Sequence, residues 1–205
     1  MNSKQLFFLL LAYCCWVGCG NGNALPILSK PITENGVSSF ERISDFQFID
    51  QDSQLITPAT FADKVYVVDF FFTSCPTICP TLAKEMKRIY KHFETEDKVR
   101  LLSHTIDPKR DTVGRLATYA QNLEVSSDKW HFVTGDKTAL FEIADDYFNI
   151  VLEDPSVPEG FDHSGRIVLV DTNGHIRAFC NGTNPEEVDR FIKDIEQLLE
   201  EYKAI

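Results

Sequence analysis

The sequence predicts one α/β domain, built on a mixed β-sheet with helices on both faces. Apolar runs typical of strands alternate along the chain with segments whose apolar residues recur at helical spacing. The last two strands are joined by Asn173-Gly174, a strong signal for a two-residue hairpin, so the sheet is expected to end in an antiparallel pair. The chain has 205 residues, 43% of them hydrophobic, which is enough to bury one core of good size.

The predicted elements follow in a regular order. A short N-terminal β-hairpin extension is expected at 46–56, because apolar residues flank the turn signal at 50–53. The near-continuous apolar run 64–72 is typical of a strand buried on both faces. The other strands are predicted at 100–106, 130–134, 165–170 and 175–179, and the helices from Pro80, from Asp111 or Thr112, over 138–148 and over 188–202.

The first 39 residues are expected to export and tether the domain. Residues 6–19 follow Lys4 and are uncharged and mostly apolar, which is too short to span a bilayer but typical of an export signal. The end of this stretch resembles a bacterial lipobox, so residues 1–18 are interpreted as a lipoprotein signal peptide and Cys19 as the lipidated residue. An uncleaved anchor and an ordinary signal peptide are the alternatives. Residues 19–39 lack periodicity and are predicted to be a flexible tether to the folded domain, 40–205.

The charge of the chain limits its partners. The formal net charge is −11, and no long basic run occurs. An acidic surface repels phosphate backbones, so nucleic acid is excluded as a partner, and anionic lipid is repelled as well. Attachment to a membrane must therefore be hydrophobic or covalent, through the N-terminal lipid. We expect the protein in the bacterial cell envelope, with its domain in the periplasm or otherwise outside the cytoplasmic membrane.

Three of the six cysteines remain in the folded part: Cys75, Cys79 and Cys180. Three is too few, and odd, so a disulfide framework is not predicted. Cys180 ends a strand and is interpreted as a small apolar filler. Cys75 and Cys79 need another explanation, because they lie in a proline-flanked loop.

Cys75 and Cys79 follow the strand 64–72, at the start of a helix. Helical spacing puts residues four apart about 5–6 Å from each other at Cβ. The positive end of the helix dipole favours thiolate. Such a pair closes a disulfide after a modest adjustment or binds a soft metal. Redox chemistry and metal binding both remain open at this point.

Two further segments are expected at the same edge of the sheet. Asp107 and Asp111 follow the strand 100–106, and His163 precedes the strand 165–170, which begins at that edge if it runs antiparallel. Two thiolates with one imidazole favour Cu(I) and also serve Cu(II) or Zn(II). A structural zinc site would need a fourth ligand, for which Asp162 or Asp107 is available. An incomplete set of ligands suits an ion that is bound and then handed on. For the two aspartates after the strand, capping and turn formation is the simpler interpretation.

Three motifs together resemble the signature of the Sco/SenC proteins: TSCPTICP at 73–80, DPKRDT at 107–112 and DHS at 162–164. The resemblance covers about residues 43–200. It implies a thioredoxin-like fold, an exported protein held at a membrane, and copper bound by Cys75, Cys79 and His163. It further implies a part in assembling the dinuclear copper centre of cytochrome c oxidase, by passing copper, by reducing cysteines of the target, or both. Cys180 departs from the family, which more usually has an aromatic residue there.

Two functions follow from this reading. The first is a copper metallochaperone that delivers copper to the oxidase subunit carrying the dinuclear site, with Asp107, Asp111 and Asp162 supporting the ligands or contacting the partner. The second is a thiol–disulfide reductase of exported or oxidase cysteines, which needs Cys75 and Cys79 as a redox pair but not the histidine. Other copper chaperones or thiol reductants are further partners. A third hypothesis is a peroxidase of the peroxiredoxin type, because residues 72–75 are faintly similar to the nucleophile loop of those enzymes. The second cysteine and the histidine would have no role in such an enzyme, which counts against this hypothesis.

Overall fold

The structure is a computed structural model that describes residues 24–34, 36–149, 151–153 and 161–203, without the side chains of 152, 153 and 161–163. The strands are β1 (Pro31–Glu34), β2 (Val37–Phe40), β3 (Phe48–Asp50), β4 (Leu55–Ile56), β5 (Val65–Phe71), β6 (Val99–Thr105), β7 (Trp130–Thr134), β8 (Val151–Glu153), β9 (Phe161–His163), β10 (Arg166–Val170) and β11 (Ile176–Asn181). The helices are α1 (Cys79–His92), α2 (Val113–Leu123), α3 (Lys137–Asp146) and α4 (Pro185–Lys203), and Pro58–Phe61 forms a 3-10 turn.

Seven strands form one mixed sheet, in the order β11-β10-β5-β6-β7-β3-β4. The central strands β5, β6 and β7 are parallel, and β10 runs antiparallel to β5. The thioredoxin-like mixed sheet is thereby confirmed. The predicted N-terminal hairpin is confirmed as β3–β4, and it extends the sheet beyond β7.

The sheet is covered on both faces, as the apolar pattern of β5 predicts. All residues of β5 are buried, and neighbouring side chains of a strand point to opposite faces. Phe71 stacks on Tyr119 of α2, with ring centroids 5.2 Å apart, whereas Phe70 lies beside Tyr147 at the end of α3. Helices α2 and α3 therefore pack on opposite faces of the sheet. In such a sheet, a site is expected beyond the carboxyl ends of the parallel strands.

Residues 24–40 differ from the flexible tether that the sequence predicts. The backbone N–H of Leu28 donates to the Ile176 carbonyl at 2.7 Å, and the buried guanidinium of Arg177 donates to the Leu25 carbonyl and to Glu201. The chain then forms the hairpin β1–β2, whose turn uses Gly36 at a φ of 78°. These contacts use backbone atoms, which leave no hydrophobic periodicity in the sequence.

His104 is a buried polar residue near the end of β6, where it lies against aromatic side chains. Its ring stacks on Phe70 with centroids 5.0 Å apart and meets Phe48 edge-on at 5.3 Å. Neither ring nitrogen has a hydrogen-bond partner in the described part of the chain. Burial lowers the pKa of His104 to about 3, so the folded protein holds the ring neutral.

Replacing this histidine is expected to protect the protein in acid. The unfolded chain protonates the histidine below its ordinary pKa of 6.5, whereas the folded protein does so only near 3. The unfolded state thus binds more protons between these values, and wild-type stability falls as the pH falls. We expect the stability difference between His104→Phe and wild type to shift in favour of the variant by about 1.4 kcal/mol per pH unit as the pH falls from about 6 to about 3. Urea unfolding at several pH values measures this shift.

The same substitution at an exposed position is the control. His92 ends α1 and pairs with Glu196 at the surface, so a phenylalanine there removes a histidine without removing a buried one. An equal pH dependence in His104→Phe and His92→Phe would contradict the explanation by burial.

Candidate functional site

The two motif cysteines lie in the turn between β5 and α1. The backbone N–H of Cys75 donates to the Phe72 carbonyl at 3.2 Å. Cys79 is the first residue of α1, one position before the predicted start at Pro80. Both side chains are largely buried, with 8% of Cys75 and 4% of Cys79 exposed, and neither is in a disulfide. Cys79 thus lies at the N-terminus of the helix, as predicted, whereas Cys75 lies in the turn before it, so helical spacing does not relate the two thiols.

The two thiols contact each other, and their ionisation is asymmetric. Burial disfavours the Cys75 thiolate, but hydrogen bonds from Cys79 and Thr77 outweigh it and lower the pKa of Cys75 below its ordinary value. The Thr77 hydroxyl is 3.5 Å from the Cys75 sulfur. Burial raises the pKa of Cys79 far above its ordinary value, and the hydrogen bond with Cys75 adds to the effect. Cys75 is therefore the thiol that ionises first.

Asp111 links strand β6 to the segment 72–79 that carries the two cysteines, which is called the thiol turn below. Its carboxylate is buried and accepts hydrogen bonds from the backbone N–H of Thr73 at 3.1 Å and from the Thr73 hydroxyl at 2.5 Å. It also accepts a hydrogen bond from the Thr105 hydroxyl at 2.6 Å, at the end of β6. Arg115 donates to the Thr73 hydroxyl at 2.5 Å. Asp111 therefore supports the cysteines by fixing the residues that precede them, and Thr112, not Asp111, caps α2.

Asp107 is buried next to this anchor but faces a different neighbour. Its backbone N–H donates to the Thr105 hydroxyl at 3.0 Å. Its carboxylate forms an ion pair with Arg110 at 3.2 Å, and Arg110 is in turn 3.4 Å from the Ser74 hydroxyl, next to Cys75. Asp107 is thus connected to the thiol turn only indirectly, through the Arg110 guanidinium that contacts both Asp107 and Ser74. It also lines a cavity of about 500 Å³ with Lys109 and Lys137.

The histidine segment, residues 161–165, has its backbone at the same edge of the sheet as the thiol turn. His163 ends β9, which pairs with β8 so that His163 is opposite Val151. Two residues on, Gly165 has a φ of 61°, and a Cβ at that position would be 3.2 Å from the side chain of Ile78. Because Ile78 lies between the two cysteines in sequence, the chain around His163 packs on the thiol turn.

The structure does not describe the side chains of His163 and Asp162. Among the side chains that it does describe, no group of three or more His, Cys, Asp or Glu could hold a metal ion. Cys180 is buried in β11 and pairs with Ile167 across the sheet, which agrees with its interpretation as an apolar filler.

The sequence analysis did not identify Asp69 as part of the site, although its buried carboxyl group acts electrostatically on Cys79. Asp69 lies in the middle of β5, and the Ser103 hydroxyl donates to it. Burial raises the pKa of Asp69 to about 7, although that hydrogen bond opposes the shift, and its charge acts on Cys79. The Trp130 indole donates to Ser103 at 2.8 Å and completes the chain of hydrogen bonds. The signal was a single acidic residue inside the apolar run 64–72.

The fold and the site define a class: thioredoxin-like proteins with a CxxxC thiol pair. The model of the SCO1/SenC family matches residues 37–200, and the chain belongs to this family. Among curated proteins, the chain is 29% identical over 155 residues to the SCO1 protein homolog of Bacillus subtilis, covering 75% of this chain and 80% of that protein. It is also 29% identical over 167 residues to the "Putative copper-binding protein" of Stutzerimonas stutzeri, covering 77% of each.

Solved structures agree with this assignment. A SCO1/SenC family lipoprotein from Bacillus anthracis has a TM-score of 0.70 and 25% identity, covering 83% of this chain and 98% of that one. BsSco, described as a member of the Sco family of cytochrome c oxidase assembly proteins with a disulfide switch, has a TM-score of 0.69 and 26% identity. That match covers 85% of this chain and 97% of BsSco. Within the described residues, no helix has the length and apolar character needed to cross a membrane.

Removing one acceptor from the Asp111 anchor is expected to loosen the thiol turn. In Asp111→Asn, the side chain cannot accept all the hydrogen bonds that the carboxylate accepts from Thr73 and Thr105. A buried donor left without an acceptor costs about 1–3 kcal/mol. We expect a loss of that size in urea unfolding of the reduced, metal-free protein, and faster amide hydrogen exchange at 73–79.

Asp136→Asn is the matched control for this variant. Asp136 caps α3 at the surface, and asparagine caps a helix about equally well. An Asp111→Asn protein as stable as Asp136→Asn would show that the anchor is not needed.

Proposed function

We propose that this protein is a membrane-tethered copper metallochaperone that binds copper through Cys75, Cys79 and His163. It delivers the copper to the dinuclear copper site of cytochrome c oxidase or prepares the thiols of that site. The supporting observation is the packing of Gly165 against Ile78. Two peptide units span at most about 7.6 Å, so the backbone of His163 lies close to the thiol turn.

The chemistry of the thiol pair suits copper as a cargo. Thiolates are soft ligands that favour Cu(I), and an added imidazole also suits Cu(II). The lowered pKa of Cys75 supplies one thiolate readily, and Cys79 gives up its proton when a metal ion binds. With no more than three protein ligands in the proposed set, a recipient protein can approach the metal and add its own. This arrangement favours transfer over permanent storage.

The comparisons support the same assignment at a coarser level. A curated relative carries copper binding in its name, and the family is linked to oxidase assembly by the description of BsSco. The similarity to a SCO1/SenC lipoprotein supports our proposal that residues 1–18 are a lipoprotein signal peptide and that Cys19 carries the lipid. The acidic net charge agrees with attachment by lipid instead of by a basic surface.

An anaerobic Cu(I) titration of the full-length protein in mild detergent, against a chelator of known affinity, tests the ligand set. We expect one tightly bound copper per chain in wild type. His163→Ala should bind at least about tenfold more weakly, because it leaves two thiolates, and Cys75→Ala and Cys79→Ala should lose most of the affinity. The control is His92→Ala, at a histidine on the surface near the end of α1.

Equal affinity in wild type, His92→Ala and His163→Ala would contradict the three-ligand site. The second candidate function, a thiol–disulfide reductase, would then be preferred. The different pKa shifts of Cys75 and Cys79 support this alternative. The asymmetric ionisation of the two thiols is what an attacking and a resolving cysteine require.

The asymmetry makes a prediction of its own. In the reduced, metal-free protein at pH 7, iodoacetamide should alkylate Cys75 faster than Cys79, because thiolate is the reactive form. Cys180 is the internal control, since burial raises its pKa to about 12. Peptide mass spectrometry over time measures the three rates. Alkylation of Cys79 before Cys75 would reverse the assignment of the attacking thiol.

A further inference from the structure

We propose that Asn149 is a positioning residue for His163: by holding Ser164, it keeps the histidine ready to bind copper. The inference rests on the proposed function, because it assumes that His163 is a copper ligand. It concerns the base of the segment that carries the histidine, where the chain leaves α3 and returns to the sheet.

The Asn149 side chain forms a hydrogen bond with Ser164, the residue that follows His163. The Ser164 hydroxyl donates to Asn149 Oδ1 at 2.6 Å. Asn149 is itself fixed, since its backbone N–H donates to the Ala144 carbonyl at 3.0 Å and only 4% of the residue is exposed. The hydrogen bond therefore connects the histidine segment to the end of a packed helix.

Other contacts hold the same base of the segment from the opposite side. The Gly165 carbonyl accepts a hydrogen bond from the Gly182 N–H at 2.9 Å, and Gly165 packs on Ile78. The Arg166 guanidinium donates to the Phe148 carbonyl, next to Asn149. The chain directly after His163 thus contacts both the thiol turn and the end of α3, which limits where the backbone of His163 can lie.

The second polar atom of the Asn149 side chain indicates a role beyond filling space. Asn149 Nδ2 is buried and has no hydrogen-bond partner in the described part of the chain. An unpaired buried donor costs about 1–3 kcal/mol. A leucine of similar size would avoid this cost, so the amide is not explained by packing alone. Its oxygen is the atom that makes the contact with Ser164.

Loss of this hydrogen bond is expected to act on copper affinity through the histidine. If the backbone at His163 samples more positions, the fraction of molecules ready to bind falls, and the apparent affinity falls with it. Removing groups that orient a metal ligand typically costs 10–100-fold in affinity. We expect about a tenfold loss, the lower end of that range, because Gly165 and Arg166 still hold the segment.

The test is the anaerobic Cu(I) competition titration of the full-length protein, applied to variants at both ends of the hydrogen bond. Asn149→Leu and Ser164→Ala should each bind about tenfold more weakly than wild type. Ser164→Thr keeps the hydroxyl and should keep wild-type affinity. In the His163→Ala background, adding Asn149→Leu should cause no further loss, because the histidine is already gone. The electron paramagnetic resonance spectrum of the Cu(II)-loaded protein should show weaker nitrogen hyperfine structure in Asn149→Leu than in Ser164→Thr.

The outcomes separate this inference from the proposed function. Wild-type affinity in both Asn149→Leu and Ser164→Ala, with weak binding by His163→Ala, would overturn the positioning role and leave the ligand set standing. An equal loss on adding Asn149→Leu to His163→Ala would also overturn it, because the residue would then act on general stability. Wild-type affinity in His163→Ala would overturn the ligand set and this inference with it. Urea unfolding of each metal-free variant checks the folded fraction, and Ser164→Ala carries the test if Asn149→Leu is poorly folded.

Discussion

The buried carboxylate of Asp111 is the constraint on which the site depends. It accepts hydrogen bonds at the ends of two neighbouring strands, from Thr105, the last residue of β6, and from Thr73, two residues after the end of β5. The sheet pairs these strands in register up to Phe71 and Thr105, and Asp111 continues the connection where the backbone pairing stops. The turn that carries the cysteines therefore begins from a fixed point, two residues before Cys75.

From that point, burial and contact give the two cysteines different chemistry. Both sulfurs have the same covalent structure, but Cys75 receives hydrogen bonds and Cys79 gives one. The buried carboxyl group of Asp69 adds to the resistance of Cys79 to ionisation. In the proposed metal site, a metal ion would replace the proton of Cys79, and in the alternative reductase, disulfide exchange would start from Cys75. Only the proposed metal site needs the histidine segment.

The sequence predicted the features that depend on local pattern. The continuous apolar run identified β5, the Asn173-Gly174 dipeptide identified the last hairpin, and the helical pattern from Pro80 identified α1 to within one residue of its start. Features that depend on backbone atoms or on distant partners were not predictable. Arg177 donates to the backbone carbonyl groups of residues 25 and 26. Every residue has such a carbonyl, so the side chains of 25 and 26 could not predict this contact. Asn149 lies 15 positions from Ser164, and no periodic pattern links them.

The N-terminal segment joins the domain at Ile176, where β11 begins. Strand β10 runs antiparallel to β5 and ends where β11 starts, so this junction is at the amino end of β5, whereas the thiols follow its carboxyl end. The place where the described N-terminal segment joins the sheet and the thiol turn therefore lie at opposite ends of β5. A membrane anchor at the N-terminus, as proposed above, would attach at the end of the sheet opposite to the thiols and would leave their end accessible to a recipient protein.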